Sequence, residues 1–230
     1  MIALADTQIV KGSERLSKGK VSLLEHDGHA FFIMTSGLRS VRDKAVIYLT
    51  EHLATLATPC DRFYKVANAF GEQLRKVLAE DGPSLAAGKL EFNLHTIIGG
   101  QLANDAGPEM FYIYPEGNWI EASADSPYFV IGRTAYGKPI LDRFLARDTS
   151  MRTAVSLAYL AFDATRTSVT DVDFPFDVLT LENGSPHFKQ QRFDARDLHD
   201  AQEWWQQRLR SALQDMPHTW TEVLFENNPQ

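Results

Sequence analysis

Three residues near the start of the chain carry groups that could support catalysis. Asp6 ends a short apolar run, Lys20 precedes a second run, and Gly37 follows a third, where a strand pattern changes to a helix pattern. A carboxylate can hold a lysine ammonium in place, and that cation can stabilise a developing negative charge. The N–H of a glycine at the start of a helix can donate to an oxyanion. The pattern therefore predicts the supporting parts of an active site, and the nucleophile itself is not visible.

Apolar periodicity and turn residues predict the elements that hold these groups. The second and third runs are joined by Asp27-Gly28, which favours a tight hairpin turn. Further strands are predicted over 90–98, 110–114, 119–122, 128–131, 176–181 and 187–189. Helical spacing of apolar residues predicts helices over 38–58, 62–80, 138–146, 150–165 and 198–213.

The order of these elements predicts the fold class. Strands alternate with pairs of helices, which does not suit a parallel sheet built from single strand–helix–strand units. It favours mostly antiparallel sheets covered by helices, a layered α+β architecture. Because no linker, repeat or low-complexity tract divides residues 1–230, we expect a single domain that includes the C-terminal helix over 198–213.

Composition excludes several classes of function. A net charge of −7 argues against a nucleic-acid or anionic-membrane partner. No apolar run is long enough for a membrane span, and the single cysteine, Cys60, suits a reducing cytoplasm as a buried thiol. His26 and His29 are assigned to an exposed turn and Asp171 and Asp173 to a solvated loop, so no metal site is predicted. No cofactor is predicted either.

Three stretches of the sequence resemble a known family. The first consists of residues 5–7, Lys20 and residues 35–37. The second is residues 111–122, and the third is residues 131–143. They are similar to the proteasome-type N-terminal nucleophile hydrolases and, within these, to the bacterial ancestral β-subunit homologues known as Anbu. The resemblance implies a four-layer αββα sandwich of two antiparallel sheets between helix pairs. It also implies peptide-bond hydrolysis in a self-assembling ring or spiral, and it does not extend beyond about residue 186.

The resemblance also implies roles for individual residues. The family nucleophile is a threonine at the mature N-terminus, whose own α-amino group acts as the general base. Lys20 matches the family lysine, Asp6 the acid that holds it, and Gly37 the glycine of the oxyanion hole. The interval from Asp6 to Lys20 is about two residues shorter than in typical proteasome subunits, which makes Lys18 a rival. Supporting residues near the end of the fourth helix match loosely, and the candidates are Asp163, Ser168 and Thr170.

The family threonine lies on the strand that precedes the one ending in the acid. We therefore expect residues 1–230 to lack the first family strand and with it the nucleophile. Thr7 cannot substitute, because it follows the acid and has no free amine. The leading interpretation is a proteasome-like threonine endopeptidase subunit that is inactive as its sequence stands. The alternatives are a non-catalytic structural subunit of such an assembly and a monomeric binding domain, and the substrate and any ATPase partner are left open.

Overall fold

The computed structural model describes residues 1–11, 14–17 and 19–225. The strands in this part of the chain are β1 Ile2–Asp6, β2 Gln8–Lys11, β3 Glu14–Ser17, β4 Val21–His26, β5 His29–Gly37, β6 Leu94–Gly100, β7 Glu109–Ile113, β8 Trp119–Glu121, β9 Phe176–Thr180 and β10 Lys189–Phe193. The helices are α1 Arg39–Thr55, α2 Phe63–Ala87, α3 Thr134–Phe144, α4 Met151–Arg166, α5 His199–Gln214 and α6 Glu222–Phe225, with a 3₁₀ turn at Thr219–Thr221. The chain divides into two compact units, Met1–Arg192 and the segment from Phe193 onward.

An antiparallel sheet of five strands, in the order β4-β5-β6-β7-β8, packs against α1 and α2. On α1, Val41, Ala45, Leu49 and Leu53 are buried and recur every four residues. This spacing places them along one face of the helix, which lies on the sheet. The helix predicted from Leu38 onward is confirmed, and its apolar stripe forms the first interface between layers.

The second sheet has three strands in the order β1-β9-β10, and β1 is antiparallel to β9 along its whole length. Helices α3 and α4 pack against each other, and α4 contacts β1. The ring of Phe162 on α4 lies 4.7 Å from the ring of Phe176 on β9. Gly137 of α3 lies so close to α4 that an added Cβ would be 2.9 Å from the carbonyl oxygen of Ala161.

The two sheets pack face to face through an apolar cluster that draws on both. Ala3 and Leu179 come from the three-stranded sheet, and Phe32 and Ile97 come from the five-stranded sheet. All four are buried, as the shared faces of two packed sheets require. The layers therefore run helix pair, sheet, sheet, helix pair, which confirms the predicted four-layer α+β sandwich.

A hairpin that the sequence did not predict connects β1 of the three-stranded sheet to β4 of the five-stranded sheet along the chain. Strands β2 and β3 pair with each other, with Gln8 opposite Ser17. Because a hairpin brings its two ends together, the chain leaves at Asp6 and returns at Gly19 near the point where it left. This return places Lys20 beside Asp6.

Several predicted element boundaries are wrong. Helix α3 begins at Thr134, four residues earlier than predicted, and β10 is Lys189–Phe193, where the sequence predicts a strand over 187–189. Two other elements differ for a tertiary reason. Helix α2 continues through Asp81-Gly82-Pro83 to Ala87, because Leu85 of its last turn packs on the core under the five-stranded sheet. Strand β6 starts at Leu94, four residues later than predicted, and runs through Gly99-Gly100 instead of stopping there. A Cβ added at either glycine would lie within 2.7 Å of a phenylalanine side chain of β5, so these glycines make room for the core.

The segment 128–131 differs from its prediction in kind. It forms no strand in the structure, although Phe129 and Ile131 still pack against the apolar cluster between the sheets. The apolar residues of this segment are therefore explained by packing alone.

The second unit contains α5, the 3₁₀ turn and α6. Its longest element, α5, spans His199–Gln214, where the sequence predicts a helix over 198–213. Trp204 on α5 is exposed, and Trp205 stacks on it with ring centroids 6.5 Å apart. Among the helices that the structure describes, none has the length and apolarity needed to cross a membrane.

Candidate active site

Asp6 and Lys20 form a close ion pair at the junction of the two sheets. Asp6 is the last residue of β1, and Lys20 lies just before β4. The ammonium Nζ of Lys20 donates to both carboxylate oxygens of Asp6, at 2.8 Å to Oδ1 and 2.9 Å to Oδ2. The main-chain N–H of Gln8 donates to Oδ2 at 3.1 Å. Lys20 is thus fixed by one carboxylate, whose own position is fixed by the hairpin that follows it.

Burial and charge act in opposite directions on the Asp6 carboxyl. The side chain of Asp6 is only 12% exposed, and loss of hydration raises its pKa above the usual value. The Lys20 ammonium and the Gln8 N–H lower the pKa, while the negative charge of Asp171 raises it further. The pKa of Asp6 is raised overall because burial outweighs these favourable contacts. Without Lys20, the ionised form of Asp6 would be still more costly to keep in this position.

Gly37 ends β5 at the entrance to α1 and has a backbone conformation that requires glycine. Its φ is +129°, and an added Cβ would lie 2.1 Å from the carbonyl oxygen of Asn93. The next N–H, that of Leu38, donates to the same oxygen at 2.8 Å. Since antiparallel strands alternate the side to which successive N–H groups point, the Gly37 N–H points away from β6 and towards the side of β4. It therefore points to the side from which Lys20 approaches.

A cavity of about 1390 Å³ opens beside the ion pair. The lining residues include all of β1, Lys20 and the β5 residues Thr35 and Ser36, and facing residues of α3 and α4 close it from the other side. Gly37 directly follows the lining residue Ser36 but does not line the cavity itself. Asp6, Lys20 and the end of β5 therefore meet at one wall of a space that is large enough for a peptide segment.

Two charged residues that the sequence did not single out for this site line the same cavity. Arg133 directly precedes α3, and Asp171 lies five residues beyond the end of α4. Three hydrogen bonds join them, from Arg133 Nε to Asp171 Oδ1 at 3.2 Å and Oδ2 at 2.9 Å, and from Nη2 to Oδ2 at 2.8 Å. The guanidinium lowers the pKa of Asp171 and keeps it ionised. The sequence assigned Asp171 to a solvated loop, and no local pattern links it to a residue 38 positions away.

The structure places the three supporting candidates outside the lining of the cavity. Asp163 is buried on α4 and pairs with Arg166 at 2.8 Å. The hydroxyl of Ser168 donates to the carbonyl oxygen of Ala164 at 2.8 Å, where it closes the last turn of α4, and Thr170 is exposed. Thr165, which was not a candidate, lines the cavity.

Two further residues bear on the sequence predictions. The hydroxyl and the N–H of Thr7 both donate to the carbonyl oxygen of Pro175, at 2.9 Å and 3.0 Å, so its side chain is engaged in holding β1 to the adjoining segment. Lys18, the rival for the lysine role, lies outside the described residues. The geometry at Asp6 supports Lys20 as the lysine of the site.

The residues with metal-binding side chains do not come together in the described part of the chain. No group of three or more His, Cys, Asp or Glu residues there could hold a metal ion. His26 accepts a hydrogen bond at Nε2 from the N–H of Cys60 at 2.8 Å, so it serves the fold of the loop before α2. His29 contacts the carbonyl oxygen of Asp27 within the hairpin turn. Cys60 itself is half-buried.

Comparisons with known proteins identify the family. No protein-family model and no curated protein matches the chain. Among solved structures, the Anbu (Gly-1) mutant from Hyphomicrobium sp. strain MC1 is 31% identical, with a TM-score of 0.84, over 94% of this chain and 93% of that one. Anbu (ancestral beta-subunit) from Yersinia bercovieri is 28% identical, with a TM-score of 0.83 and the same coverage of both chains. A structure described as the helical assembly of the Anbu complex from Pseudomonas aeruginosa is 26% identical, with a TM-score of 0.85, over 94% of this chain and 92% of that one.

The layered fold and these structural relatives define a proteasome-like subunit of the N-terminal nucleophile type. With 31% identity and nearly complete coverage in both directions, the chain belongs to the Anbu, or ancestral β-subunit, family.

Proposed function

We propose that this protein is a threonine-type endopeptidase subunit that assembles with copies of itself into a ring or spiral and acts on peptide or protein substrates in the cytoplasm. The observation that carries the proposal is the Lys20 ammonium, held 2.8 Å from Asp6 on the wall of a large cavity. Self-assembly is supported by the relative from Pseudomonas aeruginosa, which is described as a helical assembly. The single cysteine, Cys60, supports a reducing compartment.

The proposed chemistry uses the groups of the site in distinct roles. A threonine hydroxyl attacks the peptide carbonyl, and the α-amino group of the same threonine takes up its proton. Lys20 stabilises the developing negative charge on the hydroxyl oxygen and favours the neutral amine, while Asp6 keeps Lys20 in position. The Gly37 N–H, which points away from β6, donates to the oxyanion of the tetrahedral intermediate. Asp163, Ser168 and Thr170 remain candidates for bracing α4 behind this site.

A second candidate function is a non-catalytic structural subunit of the same kind of assembly. The observation that favours it is that Thr7, the threonine next to Asp6, uses its hydroxyl in a hydrogen bond to the carbonyl oxygen of Pro175. A structural subunit would keep the interfaces between copies and the sandwich while the Asp6–Lys20 pair served only to join β1 to β4.

Turnover and sedimentation, measured on the same preparation, separate the two functions. In the protein isolated from its own host with its natural N-terminus, a peptidase cleaves fluorogenic peptides and is labelled by a threonine-directed covalent inhibitor, and Lys20→Met lowers its turnover by on the order of 100-fold or more. Asp6→Asn should have a smaller effect in the same direction. The matched control is Lys138→Met, which removes the exposed lysine of another aspartate pair, on α3. A multimer that neither cleaves peptides nor takes up the inhibitor supports the structural subunit, and a monomer contradicts both.

A further inference from the structure

The Arg133–Asp171 pair has no role in the proposed chemistry, yet it lines the same cavity as Asp6 and Lys20. The four residues come from four separate segments of the chain. Lys20 therefore lines the same cavity as two carboxylates, and the one in hydrogen-bond contact with it is that of Asp6. The other carboxylate is occupied by a guanidinium.

The position of Asp171 is fixed on two sides. Arg133 directly precedes α3, and Gly132 before it has a φ of +85°, which turns the chain sharply into the helix. The close contact between Gly137 and Ala161 holds α3 against α4. The start of α3 and the segment after α4 are therefore held at a fixed distance from each other. The positive end of the α3 dipole and the Arg133 guanidinium both favour the ionised form of Asp171.

The charge of Asp171 reaches both members of the catalytic pair. It opposes ionisation of Asp6, and it is itself stabilised by the positive charge of Lys20. A third carboxylate, Asp177, lies beside Gly19 and is paired with Arg192 at 2.7 Å. Among the described residues, Asp171 and Asp177 are thus each paired with an arginine.

We infer that Arg133 is a positioning residue that keeps Lys20 on Asp6 by engaging Asp171, the carboxylate that would otherwise compete for the ammonium. The catalytic consequence of this arrangement depends on the proposed peptidase function, whereas the positioning itself does not. Without Arg133, Asp171 retains its negative charge and attracts Lys20 across the cavity. Without Asp171, the guanidinium is left unmatched and repels Lys20.

The two single substitutions are therefore expected to move the reactivity of Lys20 in opposite directions. Only the neutral amine of lysine is acylated, so the rate of acetylation of Lys20 reports how strongly its surroundings favour the charged form. In the intact assembly at pH 8, followed by peptide mass spectrometry, Arg133→Gln is expected to slow this rate by about 3-fold. Asp171→Asn is expected to raise it by about 3-fold, the change that half a pKa unit produces. In the double variant, the acetylation rate of Lys20 should lie within about 1.5-fold of the rate in the unmodified protein.

Lys138 serves as the internal standard, because it pairs with Asp142 in an exposed (i, i+4) contact on α3. Its acetylation rate should stay constant in all three variants. The conservative variant Arg133→Lys keeps the charge and is expected to leave Lys20 at its original rate. If the acetylation of Lys138 is also faster in a variant, that variant has lost its fold. The comparison then uses Asp171→Glu, in which the acetylation rate of Lys20 is expected to match that of the unmodified protein.

The acetylation profiles also distinguish this inference from the proposed function. If Arg133→Gln and Asp171→Asn changed the acetylation rate of Lys20 in the same direction, the inference would be overturned. The same holds if the rate in the double variant resembled that in either single variant. The opposite changes in the acetylation rate of Lys20 support it whether or not peptides are cleaved. A preparation that shows the shifts but no turnover therefore contradicts the peptidase and leaves the positioning role intact.

Discussion

Replacement of Lys20 by methionine tests how the site is held together. Methionine has a similar length and no charge, so the substitution removes the ammonium and leaves most of the side-chain volume. Asp6 would then keep one hydrogen bond, from the N–H of Gln8 at 3.1 Å, in a position where its side chain is 12% exposed. A buried carboxylate without a cation is strongly disfavoured, and the group is expected to take up a proton.

Protonation sets an upper limit to the loss of stability. Protonating a carboxyl with an ordinary pKa of about 3.9 costs about 1.4 kcal/mol of free energy for each unit by which the pH exceeds that pKa. The limit is therefore about 4 kcal/mol at pH 7 and about 1.5 kcal/mol at pH 5. Because the pKa of Asp6 in the folded variant lies above its unfolded value, stability is highest at low pH and is lost as the pH rises.

Urea unfolding of Lys20→Met at pH 5 and pH 7, at one fixed protein concentration, measures both losses. The matched control, Lys138→Met, breaks a pair whose side chains are 55% and 50% exposed and is expected to cost less than about 0.5 kcal/mol at either pH. The double variant Lys20→Met/Asp6→Asn should recover most of the loss at pH 7. An equal loss at the two pH values would refute the argument from a buried charge and would indicate a packing defect instead.

Four further outcomes are expected. Gly37→Ala should lower the free energy of unfolding by at least about 2 kcal/mol, because its φ is +129° and an added Cβ would lie 2.1 Å from a main-chain oxygen. Gly28→Ala, at φ +73° in an open turn, should cost about 1 kcal/mol in the same urea titration. Burial lowers the pKa of His26, which accepts from the Cys60 N–H, so stability should fall as the pH drops below about 6.5, and His26→Gln should remove this part of a pH series of Tm. Asp105 accepts the main-chain N–H groups of Phe63, the first residue of α2, and of Leu102 in the loop after β6, so Asp105→Ala should cost about 2–3 kcal/mol and Asp105→Asn about 1 kcal/mol by chemical unfolding.

The layered fold and the first half of the site could be predicted because their signals are local. The position of Asp6 at the end of an apolar run and of Lys20 at the start of another follows from hydrophobic patterning alone. Their pairing depended on a family resemblance, because hydrophobic patterning does not show which separated segments meet. The oxyanion role of Gly37 likewise came from the resemblance, and the structure adds the positive φ that explains why glycine is needed there.

The rest of the site could not be predicted because it depends on contacts between distant segments. Asp171 lies in a polar loop, and nothing near it in the sequence indicates that Arg133 will approach. Gly99 and Gly100 are typical of a strand end, yet both lie within β6 because the side chains of two phenylalanines occupy the space where Cβ atoms would be. In each case the neighbour that decides the outcome is more than 30 residues away.

The pairing of β1 with β9 also constrains how the protein is made. Ile2 lies opposite Thr180, so β1 leaves the ribosome long before its partner β9 is made. At about 5–20 residues per second, the ribosome needs roughly 10 to 30 s to make the intervening chain. The five-stranded sheet, whose strands all lie between Val21 and Glu121, can close during that interval. The strand that carries Asp6 must then wait unpaired on the nascent chain, which makes it the segment most in need of a chaperone before assembly.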